Sequence, residues 1–172
     1  MKKNADGFTL IEILVALGIL VIILVVGSNM FFTILKGSSK TKILTEVKQN
    51  GGYVINVMER MIRNAKKIET CESGMSKLKI TNPDDGITTF HCCGSPLMIA
   101  SKSGSLTCEQ ARLTSNKVQV SSSCNDFISC TQAVGGPPVV TINFTLQQAG
   151  TAARPEEEAL VNFQTAVTLR NY

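Results

Sequence analysis

The chain has 172 residues, with 17 Lys plus Arg against 13 Asp plus Glu and a formal charge of +4. That excess is too small and too scattered to argue for nucleic acid as a partner. Apolar residues make up 44% of the chain but aromatic residues only 5%, with no Trp, which suits neither disorder nor a rich core; along the chain the apolar residues are concentrated in one place, and that excludes a uniformly globular cytosolic protein.

That place is Phe8 to Leu35, 28 consecutive residues with one charge, Glu12, preceded by a short polar stretch that contains Lys2, Lys3 and Asp6. A helix of this length reaches about 42 Å, more than the roughly 30 Å hydrocarbon core of a bilayer. Ile19 to Val26 is apolar on every side, which a buried helix in so small a protein could not satisfy. A secretory signal is the competing reading, but the apolar run exceeds the usual 7 to 15 or so residues and no A-x-A site follows it. An acid at mid-membrane costs about 2.5 to 3.5 kcal/mol, which a discarded signal has no reason to carry.

Glu12 therefore needs a partner, and no Lys or Arg lies between it and Lys36. An α-amino group freed by cutting between Gly7 and Phe8 would supply one. Phe8 to Glu12 is about 6 Å along a helix axis, so the new ammonium can meet the Glu12 of a parallel neighbour after a short stagger.

The segment Lys2-Lys3-Asn4-Ala5-Asp6-Gly7-Phe8-Thr9-Leu10-Ile11-Glu12 resembles the prepilin signal of type IV pilins and of the pseudopilins of type II secretion. The resemblance covers about the first 30 residues. It implies that a prepilin peptidase cuts after Gly7 and methylates the amine of Phe8, and that Glu12 assists packing into a filament with other pilin or pseudopilin subunits. Major pilins of that family often carry a helix-breaking Pro in the apolar run; Phe8 to Leu35 has none, leaving Gly18 and Gly27-Ser28 as weak points. Lys36, Lys40, Lys42 and Lys48 follow the span, and charge counting alone would place them in the cytoplasm; long domains cross largely regardless of such charge.

A second helical stretch is expected over residues 38–68, with Val47, Val54, Met58, Met61, Ala65 and Ile68 as its packing stripe and Ile43 preceding them. Gly51-Gly52 is a place for a bend. From Cys71 onwards the composition turns to Thr, Ser and Val. Strands are expected at Lys77 to Thr81 and Ile87 to Cys93, joined by the turn Asn82-Pro83-Asp84-Asp85-Gly86, and then at Leu97 to Ala100, Lys117 to Val120, Val139 to Leu146 and Phe163 to Leu169. In the fifth of these, Val140, Ile142, Phe144 and Leu146 form one buried face. The fold class is α+β: a long N-terminal helix, membrane-embedded first and amphipathic second, packed against an antiparallel sheet with one wet side. The expected organisation is a leader at 1–7, a membrane and filament-core helix at 8–35, and a head at 36–172.

Cys71, Cys92, Cys93, Cys108, Cys124 and Cys130 all fall in the head, as suits disulfides in an oxidising compartment. Adjacent Cys92 and Cys93 are expected to take separate partners; Cys124 with Cys130 is the expected local bridge, and Cys71 and Cys108 face the pair. His91-Cys92-Cys93 invites a metal reading, but the other spacings fit no zinc pattern. His91 is the sole histidine and no nucleophile motif occurs, so no catalytic residue, metal or cofactor is expected. The loops Gly135-Gly136-Pro137-Pro138 and Gln147 to Glu158 are surface connections or subunit contacts.

The expected protein is thus a structural subunit, of the minor class, of a type IV pilus or a type II secretion pseudopilus. It would pass once through the cytoplasmic membrane with its head outside the cytoplasm, then join a periplasmic or cell-surface filament, with no nucleic acid partner. The alternative is a single-span anchored binding domain or enzyme that joins no filament.

Overall fold

A computed structural model describes Gly7 and residues 9–121, 124–150 and 159–170; residues 1–6, 8, 122–123, 151–158 and 171–172 lie outside the described residues. The leader, Phe8 and most of the Gln147 to Glu158 loop therefore fall outside it. The chain forms two compact units, residues 1–39 and 40–172, and one α-helix, α1 (Leu10–Asn64), supplies residues to both.

In the first unit the apolar side chains of α1 are exposed all round, from Leu10 to Leu35. The hydroxyls of Ser28 and Thr33 donate to the carbonyls of Leu24 and Asn29 at 2.7 and 2.9 Å. Such back-bonding satisfies a polar group within its own helix, which suits an apolar surrounding.

In the second unit α1 buries Val47, Gly51, Val54, Met58 and Ile62. The stripe runs 47, 51, 54, 58, 62, so Ile62 takes the core place that spacing alone assigns to Met61, which is half-buried. The helix also ends earlier than its apolar period suggests. After Asn64 the amide of Lys66 donates to the carbonyl of Thr81 at 2.9 Å, and Lys67–Ile68 forms strand β1. Ile68 still packs on the core, from a strand rather than a helix.

The head is α+β with antiparallel strands, but these divide between two sheets rather than one. Sheet A runs β1-β2-β3-β4, with β2 at Lys77–Thr81, β3 at Ile87–Cys93 and β4 at Met98–Ser103. Sheet B is built on β7 (Pro138–Gln148), which pairs with β8 (Leu160–Thr168), with β5 (Val118–Val120) at Leu146–Gln148 and with β6 (Ile128–Gln132) at Pro138–Ile142. A hydrogen-bonded bridge between Met75 and Ile128 joins the β1–β2 connection to β6.

One core serves both sheets: Leu78, Ile80, Phe90 and Ile99 from sheet A and Val140, Ile142, Phe144 and Leu146 from sheet B enclose the α1 stripe. Each fully buried aliphatic or aromatic side chain contributes on the order of 1.5 to 3 kcal/mol. At Gly51 the backbone of α1 passes close to the Phe163 ring of β8. A Cβ there would lie 2.1 Å from Cζ of Phe163, so the glycine makes room for the ring and the helix continues through it.

Candidate functional site

The amino-terminal turn of α1 carries Glu12, the residue expected to assist assembly; Gly7 precedes the helix. Thr9 caps the helix: the amide of Glu12 donates to the Thr9 carbonyl at 3.1 Å and to its hydroxyl at 3.4 Å. Glu12 sits at the third helical position, so Thr9-Leu10-Ile11-Glu12 has the spacing of a capping box. A carboxylate in the first turn also meets the positive end of the helix dipole, worth about 0.3 to 1 kcal/mol where solvent reaches it. That local role sits beside any role in assembly. The T-x-x-E spacing, legible in the sequence, was its signal.

The side chain of Glu12 is exposed, and none of the ion pairs among the described residues includes it. With Ile13, Ala16, Leu17 and Leu20 it borders a shallow depression on the helix, over the small side chain of Ala16. Apart from the carboxylate that surface is hydrocarbon, of the size and shape that an apolar side chain of a parallel helix could fill. Gly7 is exposed, and a Cβ on it would meet nothing within 4 Å among the described residues, while Phe8 lies outside them. One 18-residue window of α1 has a mean hydropathy of 3.1 and no buried residue, so this helix is long and apolar enough to cross a membrane.

The six cysteines form three disulfides: Cys71–Cys130, Cys92–Cys124 and Cys93–Cys108. Cys92 and Cys93 do take separate partners, and Cys108 faces the pair. The expected local Cys124–Cys130 bridge is not formed, and Cys71 joins Cys130 instead. The cause lies in the backbone: the amide of Cys130 donates to the Glu72 carbonyl at 2.8 Å and Met75 bridges to Ile128, so the chain after Cys71 lies against β6. Cys92 is buried on the core face of β3 and Cys93 points the other way, as the two-residue strand period requires. The adjacent pair thus staples both faces of sheet A.

His91 shares the outer face of β3 with Cys93, and its ring lies within 4.8 Å of the Cys93 and Cys108 sulfurs. These sulfurs are bonded to each other, which leaves no thiolate to bind a metal there. Burial holds the His91 imidazole below its ordinary pKa, helped by the charges of Lys102 and Lys77. Glu69 is held below the usual carboxylate range by the Thr81 hydroxyl, at 2.6 Å, and by Lys67. The loop at Gly135-Gly136 is entered through an exposed Val134, and Asp84 and Asp85 stand in the β2–β3 turn, where Asp85 pairs with Lys66 at 2.6 Å.

No curated protein and no solved structure gives a significant match to the chain. Residues 2–28 match the family described as the prokaryotic N-terminal methylation motif. That match supports a pilin- or pseudopilin-like substrate of a prepilin peptidase, anchored by its apolar helix. With the α+β head stapled by disulfides, the chain therefore has a pilin-like architecture and carries at its amino terminus the hallmark of type IV pilin-like prepilins.

Proposed function

We propose that the chain is a structural subunit, of the minor class, of a type IV pilus or type II secretion pseudopilus, and that it performs no catalysis of its own. The observation that carries this reading is the methylation motif at residues 2–28 leading directly into a helix whose apolar side chains are exposed all round. A surface of that kind is stable only in lipid or against other helices of its type. Cleavage between Gly7 and Phe8 turns Phe8 into the amino terminus. The methylated ammonium of one subunit then pairs with Glu12 of the next, and Ala16 leaves the helices room to approach.

The head stands outside the cytoplasm in this reading. Three disulfides require an oxidising compartment, and that requirement outweighs Lys36, Lys40, Lys42 and Lys48 near the end of the apolar run. Lack of a mid-helix Pro and the cysteine-rich head support a minor subunit.

The pairing is worth about 2 to 4 kcal/mol at an effective dielectric near 20, against the cost of leaving an acid unpaired in lipid. Glu12→Ala is expected to insert into the membrane as well as the parent chain, or better, while its incorporation into sheared filaments falls by roughly two orders of magnitude. Equal incorporation of both chains would overturn the assembly role. Glu12→Gln separates charge from shape and is expected to fail in the same way.

A further inference from the structure

The two sheets of the head differ in charge. Strands β5 to β8 carry no charged residue, whereas β1 to β4 carry Lys67, Lys77, Lys79 and Lys102 with His91 and no acid. Alternation sends Leu78, Ile80 and Phe90 into the core and turns Lys77, Lys79, Thr89 and His91 outward. The register sets Lys77 opposite His91 and Thr89 opposite both Lys79 and Lys102. Three lysines are thereby rooted about 7 to 12 Å from one another, given a rise of about 3.4 Å per residue and a strand spacing of about 4.8 Å.

None of the three lysines has a carboxylate within ion-pair distance among the described residues; the pairs lie elsewhere, at Lys66–Asp85, Lys67–Glu69 and Lys117–Glu46. Glu69, the cross-strand neighbour of Lys79, feels its charge but pairs with Lys67 and accepts from the Thr81 hydroxyl. Burial is the main cause of the lowered pKa of His91, and the charges of Lys102 and Lys77 add to it. Like charges gathered on one sheet face oppose folding, so this arrangement is not explained by stability.

Lys77, Lys79, Ile87, Thr89, His91 and Lys102 line one shallow depression on this face. Ile87 is 45% exposed at its rim, and the lysine stems add further hydrocarbon. We propose that this face binds an acidic polysaccharide, a polymer whose sugar rings carry carboxylate or sulfate groups. The lysine tips neutralise the acid groups, Ile87 and the lysine stems meet the C–H face of a ring, and Thr89 and His91 offer hydrogen bonds to ring hydroxyls. The lining has no Phe, Tyr or Trp on which a nucleobase could stack, and a flat sheet face does not enter a duplex groove. This binding role is independent of the assembly role of Glu12.

The test uses the full-length mature chain in neutral detergent at 0.15 M salt, roughly physiological. Polygalacturonate and dextran sulfate are expected to bind, and uncharged dextran and single-stranded oligothymidylate to bind at least about tenfold more weakly. The triple substitution Lys77→Gln, Lys79→Gln, Lys102→Gln is expected to lower affinity about tenfold or more, as three lost charge contacts imply. The control pair Lys66→Gln, Lys117→Gln on the same head is expected to change it less than about twofold. The ring signals of the single histidine report whether the folded parent chain binds at this face, and they are expected to shift as polygalacturonate is added. The proposal is overturned by equal binding of oligothymidylate, by equal loss in the control pair, or by a still histidine signal.

Discussion

Adding one methyl group at either of two adjacent glycines should change stability in opposite directions. Gly51 and Gly52 are consecutive residues of α1, and an alanine in a helix is favoured over glycine by about 0.8 to 1 kcal/mol. At Gly52 a Cβ would meet nothing within 4 Å, so Gly52→Ala should keep most of that gain. At Gly51 it would lie 2.1, 2.3 and 2.4 Å from three ring carbons of Phe163, against an ordinary carbon contact of about 3.5 to 4.0 Å. The ring must therefore move by more than about 1 Å. It is held by Phe144, itself buried, on which it stacks at a centroid distance of 5.3 Å. Overpacking of this kind costs about 1 to 3 kcal/mol, and disturbing the ring pair up to about 1.5 kcal/mol more. After the helix gain is subtracted, Gly51→Ala should destabilise the head by up to about 3.5 kcal/mol, with a midpoint of about 2 kcal/mol. Guanidinium unfolding of the full-length chain in micelles reads both variants as midpoint shifts with unchanged slope. Gly51→Ala combined with Phe163→Leu should recover at least about 1 kcal/mol relative to additivity. Equal stabilisation by both alanines would refute the close approach of α1 and β8.

Further outcomes follow from the disulfides and the histidine. Closing loops of 59, 32 and 15 residues reduces unfolded-state entropy by about 4.3, 3.7 and 3 kcal/mol at 25 °C. Replacing Cys71 and Cys130 together by Ser should thus lower the melting temperature more than replacing Cys93 and Cys108, and the reverse order would contradict the pairing. Because the folded head holds His91 below its ordinary value of 6.5, the unfolded chain binds more protons between the two values. Stability from this residue is present above about pH 6.5 and is lost as pH falls through the folded value. His91→Gln should remove that part of the acid loss, and Lys102→Gln should raise the titration midpoint of the His91 ring in a proton spectrum; a lower midpoint would contradict the placement of Lys102.

What could be read in the sequence was what depends on neighbours in the chain. Lys77–Thr81 and Ile87–Cys93 carry a two-residue alternation across a strong turn, and both strands form with those bounds. Val140, Ile142, Phe144 and Leu146 form the buried face that their spacing implies. Where distant residues decide, local sequence is not enough. Ile68 keeps the helical period yet lies in β1, because Thr81 captures the backbone at Lys66. Strand β6 was hidden in a Ser- and Cys-rich stretch whose cysteines suggested a local loop, although Ile128, Cys130 and the intervening Ser129 do alternate. Gly51 looked like a place for a bend, and only the ring of Phe163 explains it. The basic face needed the strand register to set Lys79 and Lys102 on either side of Thr89, which neither local sequence contains. At the amino terminus the motif was legible in full, since its meaning lies in consecutive residues.

The central claim is that the acid of the apolar span, Glu12, obtains its cation from a newly cut neighbour, and the covalent state of the mature chain tests this most directly. Intact-mass measurement and terminal sequencing of the protein recovered from its membrane or filament should give a chain that begins at Phe8, lacks residues 1–7 and carries one added methyl group on the terminal amine. A functional mature chain that retains Met1, or one that has lost the whole apolar run, would contradict it.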